Sequence, residues 1–189
     1  MDNYFIRYRS AFTGADRVFL KGALRPDAPY EGQSLVQDLR TVIDRQQPNY
    51  VFVASPLDAH PDHRFSGELV IRLMGERRQL DRVWYWIVHG GLEWPYPRGL
   101  HRDLRLNPPR GARKLDWVSF DLTPAEQDGK LAALGAHRSQ MDIMGALMRA
   151  FVRQNEIFTR ATGQPSAPAP VLVPESSIID GRTDQEGPP

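Results

Sequence analysis

Cysteine is absent from the 189-residue chain. A disulfide framework and any thiolate metal site are therefore excluded. A bound metal would have to use histidine, aspartate or glutamate, the ligand set of hydrolytic zinc and of harder divalent ions. Charge of one sign is lacking too. The 24 Lys+Arg and 23 Asp+Glu leave a formal net charge of +1, and no basic run is long enough to point to nucleic acid or an anionic membrane surface. No apolar stretch approaches the roughly 20 residues of a membrane span. The opening MDNYFIRYRS has no apolar core of the kind a secretory signal carries, so a cytoplasmic location is expected. What remains is a chain with 41% apolar residues, enough for the core of one domain with or without a tail.

Periodicity places the elements. DRVFLKG (16–22) reads as a short strand. EGQSLVQDLRTVIDRQQ (31–47) sets Leu35, Leu39, Val42 and Ile43 on one helical face, and Pro48 ends the helix. YVFVA (50–54) is a continuous apolar run suited to a strand buried on both faces. FSGELVIRLMGE (65–76) returns to helical spacing, and RVWYWIV (82–88) and DWVSFDL (116–122) read as further strands. TPAE (123–126) starts a helix, with Thr123 as N-cap, Pro124 at N1 and Glu126 closing a capping box; a long helix or helix pair is expected to about Arg160. Strands alternating with helices predict an α/β fold with a mostly parallel, Rossmann-like sheet and helices on both faces. Residues 89–113 form a long Pro- and Gly-bearing loop, and loops of that length in compact domains tend to be functional. The domain is expected to span 1–160, with an extended or disordered Pro-rich tail at 161–189.

The chain has five histidines, and two of them stand in SPLDAHPDHRFSG (55–67) with two aspartates: Asp58, His60, Asp62 and His63. The segment follows a strand and precedes a helix, which is where open parallel sheets bind ligands. Imidazole is a common zinc ligand, a second imidazole can serve as general acid or base, and a carboxylate can fix a ring's tautomer. A polar loop in which Asp58 or Asp62 caps the next helix accounts for the same residues.

DAHPDHRFSG resembles the second signature of the LmbE/PIG-L family of zinc-dependent deacetylases, which act on N-acetylglucosaminyl compounds. RVFLKG, a helix and QPNYVFVASPLDAHPDH are similar in order to the family's middle section, and KLAALGAHRSQ (130–140) with NEIF (155–158) resembles its C-terminal helices. The resemblance covers roughly residues 16 to 158. It implies an amino-sugar substrate and Zn2+, with His63 as zinc ligand, His60 as general acid, Asp62 tuning His60, and Asp58 organising the loop. The family's opening His-Pro-Asp-Asp motif has no counterpart here, so an amino-terminally truncated domain is expected, either a fragment or a natural short form. Counting His63 alone as a ligand predicts weak zinc binding, and an uncovered central sheet edge predicts self-association into a homo-oligomer. A non-catalytic carbohydrate-binding relative and a metal-dependent phosphoesterase using Asp58, His60 and His63 are the competing readings.

Other candidates carry less chemistry. His89 ends strand 82–88 and could line the substrate site or simply bond to loop backbone. Trp94 and Tyr96 in the long loop could stack on a sugar ring or pack the loop. His101 reads as solvated, His137 as a structural helix residue, and Met141, Met144 and Met148 as core.

Overall fold

A computed structural model describes residues 5–91 and 93–161; the expected tail beyond Ala161 lies outside them. The fold is mixed α/β. In chain order it comprises α1 (Gly32–Gln46), β1 (Val51–Ala54), α2 (Pro61–Glu76), β2 (Val83–Trp86), β3 (Trp117–Asp121), α3 (Pro124–Ala136), α4 (Arg138–Arg149) and β4 (Asn155–Arg160). The four strands form one sheet in the order β1-β2-β4-β3. β1 and β2 are parallel, with Val51 opposite Val83, whereas β4 runs antiparallel to both β2 and β3. Among the described residues no helix is long and apolar enough to cross a membrane.

The core lies on one face of the sheet. Val36 and Ile43 of α1 and Leu69, Val70, Leu73 and Met74 of α2 pack against Val83 and Tyr85. Leu73, Met74 and Val83 are fully buried, and each such side chain contributes about 2 kcal/mol through the apolar area it removes from water. α2 lies close against the end of β1 because Gly67 has no side chain there. A Cβ on Gly67 would come within 2.3 Å of the Ala54 carbonyl oxygen. The opposite face carries a row of rings, Phe52, Trp84, Phe120 and Phe158, in edge and stacked contacts 4.9 to 6.3 Å apart. Phe52 and Phe120 remain exposed.

Several expectations are corrected. The sheet is not mostly parallel, because NEIFTR forms the antiparallel strand β4 where helix was expected. Its alternating burial, with Asn155, Ile157 and Thr159 inward, is a period-two pattern at the end of a helical stretch. Helices do not cover the two faces alike: α1 and α2 take one, while α3 reaches the other at Glu156, through Lys130. DRVFLKG is no strand and forms a single bridge, Arg17 with Pro29. The buried side of α1 carries Val36 rather than Leu35 or Val42, which are exposed. β1 is not buried on both faces, because Phe52 lies on the partly covered ring-bearing face and is half in solvent. Met144 is exposed at a kink in α4. His101 is half-buried, its Nε2 2.9 Å from the Arg98 carbonyl oxygen. The Thr123–Glu126 capping box is present as read, and Gln47 in the left-handed conformation ends α1 just before Pro48.

Candidate metal centre

Parallel pairing puts the carboxyl ends of β1 and β2 side by side, and the loops leaving them are tied together. Ser55 N–H donates to the Trp86 carbonyl (2.8 Å), and Ala59 N–H to that of His89 (3.1 Å). Asp58 sits between the loops, 2% exposed. Its Oδ1 accepts the His60 N–H at 2.9 Å, and its Oδ2 accepts those of Val88 at 2.8 Å and His89 at 3.1 Å. One carboxylate thus holds the start of α2 to the end of β2.

Two imidazoles complete its surroundings. His89 Nδ1 lies 3.0 Å from Asp58 Oδ1, and His63 Nδ1 lies 3.2 Å from Oδ2. Burial pushes the Asp58 carboxyl up, but the N–H groups of His60, Val88 and His89, with the His63 ring beside them, more than offset it and hold it at about 2. Asp58 is therefore ionised at neutral pH. A ring nitrogen bonded to that anion carries its proton there, which fixes His89 as the Nδ1–H tautomer with a lone pair on Nε2.

His60 is held differently. It is the N-cap of α2, and its Nδ1 accepts the Asp62 backbone N–H at 3.2 Å. Pro61 follows at N1, a position that needs no N–H and suits proline's fixed φ. The neutral His60 ring consequently carries its proton on Nε2. The three rings form a cluster, with centroids 5.0 Å apart for His60–His63, 5.2 Å for His60–His89 and 4.9 Å for His63–His89, and Trp86 stands edge-on to His63 at 5.2 Å.

Asp58, His63 and His89 form a group that could hold a metal ion, with candidate ligand atoms all within 4.8 Å of one another. The buried His63 Nδ1 is off the line of a hydrogen bond to Asp58 and has no other partner among the described residues. An orphaned polar atom beside a buried carboxylate is what a cation would satisfy, and two imidazoles with one carboxylate fit zinc and similar ions.

The site residues predicted from sequence thus come together in part. Asp58, His60 and His63 converge at the carboxyl strand edge, with His63 in the first turn of α2. His89 joins them as a candidate ligand, a stronger position than lining a substrate site. Asp62 is exposed and meets His60 through its backbone N–H. Trp94 is half-buried, its Nε1–H donating to the Asn107 carbonyl at 2.8 Å and its ring edge-on to Phe151, while Tyr96 is 80% exposed. Sequence reasoning missed the arginines of the long loop, Arg105, Arg110 and Arg113, which line a cavity with Arg153. They are spaced singly and form no basic run. Compared with family models, characterised proteins and solved structures, the chain matches none.

Proposed function

We propose that this chain is a zinc-dependent hydrolase of the LmbE/PIG-L type, removing the N-acetyl group from an N-acetylglucosamine-type sugar or conjugate. The observation that carries the reading is the convergence of Asp58, His63 and His89 on one point, with His60 beside them. Those three residues would hold the metal. Zinc, when bound, supplies polarisation of a carbonyl oxygen and a more acidic water.

The chain's own residues do the rest. Asp58 is a buried anchor, charged at neutral pH, that fixes the His89 ring and draws the His63 ring in beside it. His60 offers an Nε2–H, the one ring nitrogen not engaged by the helix start. In this reading that N–H donates a hydrogen bond to the acyl oxygen as it gains charge and keeps its proton, since Nδ1 is already an acceptor, while the departing amine takes the proton released by the attacking water. Asp62 acts through its backbone N–H, which keeps His60 in the donor tautomer.

The test is metal stoichiometry together with acetate release. The purified chain should take up one zinc, His63→Ala and His89→Ala should each lose it, and the parent should release acetate from an N-acetylglucosamine conjugate. Zinc bound no better by the parent than by His63→Ala would sink the reading. Hydrolysis of a phosphate ester without acetate release would move it to a phosphoesterase on the same residues.

A further inference from the structure

The lining of a cavity of about 620 Å³ begins at Gly90, the residue that follows His89 in the chain. That is the size of a small-molecule site. Four arginines line it, Arg105, Arg110, Arg113 and Arg153, against a single carboxylate, that of Glu93. Their roles differ. Arg105 is already paired, its Nη2 2.7 Å from Asp121 and 2.9 Å from Ser119 Oγ. Arg153 is 1% exposed and bonded to carbonyls, those of His101 at 3.1 Å and Pro97 at 2.6 Å, with no carboxylate in contact. Arg110 and Arg113 are exposed at the rim and paired with no carboxylate among the described residues.

A buried guanidinium bonded to carbonyls, with Asp103 near enough to act on its charge but not in contact, is costly to keep and gains from the approach of an anion. Two further unpaired guanidiniums on the same cavity add to the field, and arginine forks match the oxygens of phosphate and carboxylate. The cavity is held open by packing. Gly90 leaves room for Pro109 and Trp94, and a Cβ there would meet their atoms at 2.5 and 2.9 Å. The Trp94 ring lines the same space.

We infer that this cavity binds an anionic group, phosphate or carboxylate, borne by the molecule that reacts at the histidine centre. The inference rests on the proposed function only in making the anion part of that substrate. The anion site itself stands on the arginines.

Binding is therefore measured directly, by calorimetry at low salt, with N-acetylglucosamine 1-phosphate and neutral N-acetylglucosamine as probes. The phosphorylated sugar should bind about tenfold or more tighter than the neutral one, and rising salt should erode the difference. The double variant Arg110→Gln/Arg113→Gln should lose that advantage, while Arg45→Gln, on α1, keeps it. Both rim side chains are exposed, so the double variant should fold as the parent does, which its far-UV spectrum and melting check. Displacement by inorganic phosphate but not malonate identifies a phosphate site, and the reverse a carboxylate site. Equal binding of the two sugars, an advantage that survives in the double variant, or no displacement by either ion overturns the inference. His63→Ala separates the two proposals. It should lose metal and acetate release and keep the phosphorylated sugar, whereas loss of the sugar as well would put the anion at the histidine centre and end the case for this cavity.

Discussion

Asp58 has the most to lose from a single-atom change. Asparagine keeps its shape but removes the charge and turns an NH2 toward donors that need an acceptor. Hydrogen bonds to a buried charge are worth about 1.5–3 kcal/mol each, so Asp58→Asn should destabilise the fold by about 3 kcal/mol in urea denaturation. Metal affinity, with one candidate ligand replaced and the rings no longer oriented, should fall by at least about 10- to 100-fold. The same carboxyl makes stability depend on pH. Its folded value of about 2 lies below the ordinary 3.8. The unfolded chain therefore takes up the proton first as pH falls, and the stability contributed by ionised Asp58 is complete above about pH 4. About 2 kcal/mol should disappear between pH 4 and pH 2. Urea midpoints of parent and Asp58→Asn should converge across that window; parallel curves would mean that Asp58 titrates like a free carboxyl.

At the scale of elements, the histidine centre depends on where α2 starts, and α2 is positioned by its contact with β1. Gly67→Ala tests this. Alanine favours a helix over glycine by about 1 kcal/mol, yet its Cβ would lie 2.3 Å from the Ala54 carbonyl oxygen. Separating that helix–strand contact should cost about 1–3 kcal/mol, so the overlap wins and the melting temperature should drop. Because the displaced helix carries both His60 and His63, metal uptake should weaken as well. Gly129→Ala, where a Cβ meets nothing within 4 Å in α3, is the control and should stabilise slightly. An equal effect of the two substitutions would show that α2 is not held by this contact.

On the scale of the whole molecule, the sheet ends at β1, whose outer backbone edge has no strand partner among the described residues. The ring-bearing face is only partly covered, with Phe52 51% and Phe120 45% exposed. Open strand edges and apolar patches promote association. Sedimentation velocity should show concentration-dependent self-association, and Phe52→Lys/Phe120→Lys should reduce it without affecting the histidine centre on the strand ends. A monomer at all concentrations would mean that the rings and Arg160, stacked 4.5 Å over Trp84, shield the face sufficiently.

Local chemistry in the sequence was enough to determine the metal-capable segment, the strands 51–54 and 83–86, the helix between them, and the capping box at Thr123. Each of these depends on neighbours within a few residues: a proline, a capping side chain, a run of β-branched residues. The His60–His63 pair was legible for the same reason. Tertiary structure alone decided the rest. β4 was hidden because its alternation occupies only six residues after a helical stretch, and its antiparallel place between β2 and β3 follows from how the chain returns. His89 became a candidate ligand because parallel pairing sets the end of β2 beside that of β1, 31 positions along the chain from Asp58. Arg153 joined the loop arginines across a longer gap, its contacts to His101 and Pro97 spanning 52 and 56 positions, by folding β4 back against the 97–113 segment. Contacts between residues so far apart depend on strand order and register, which short-range periodicity does not encode.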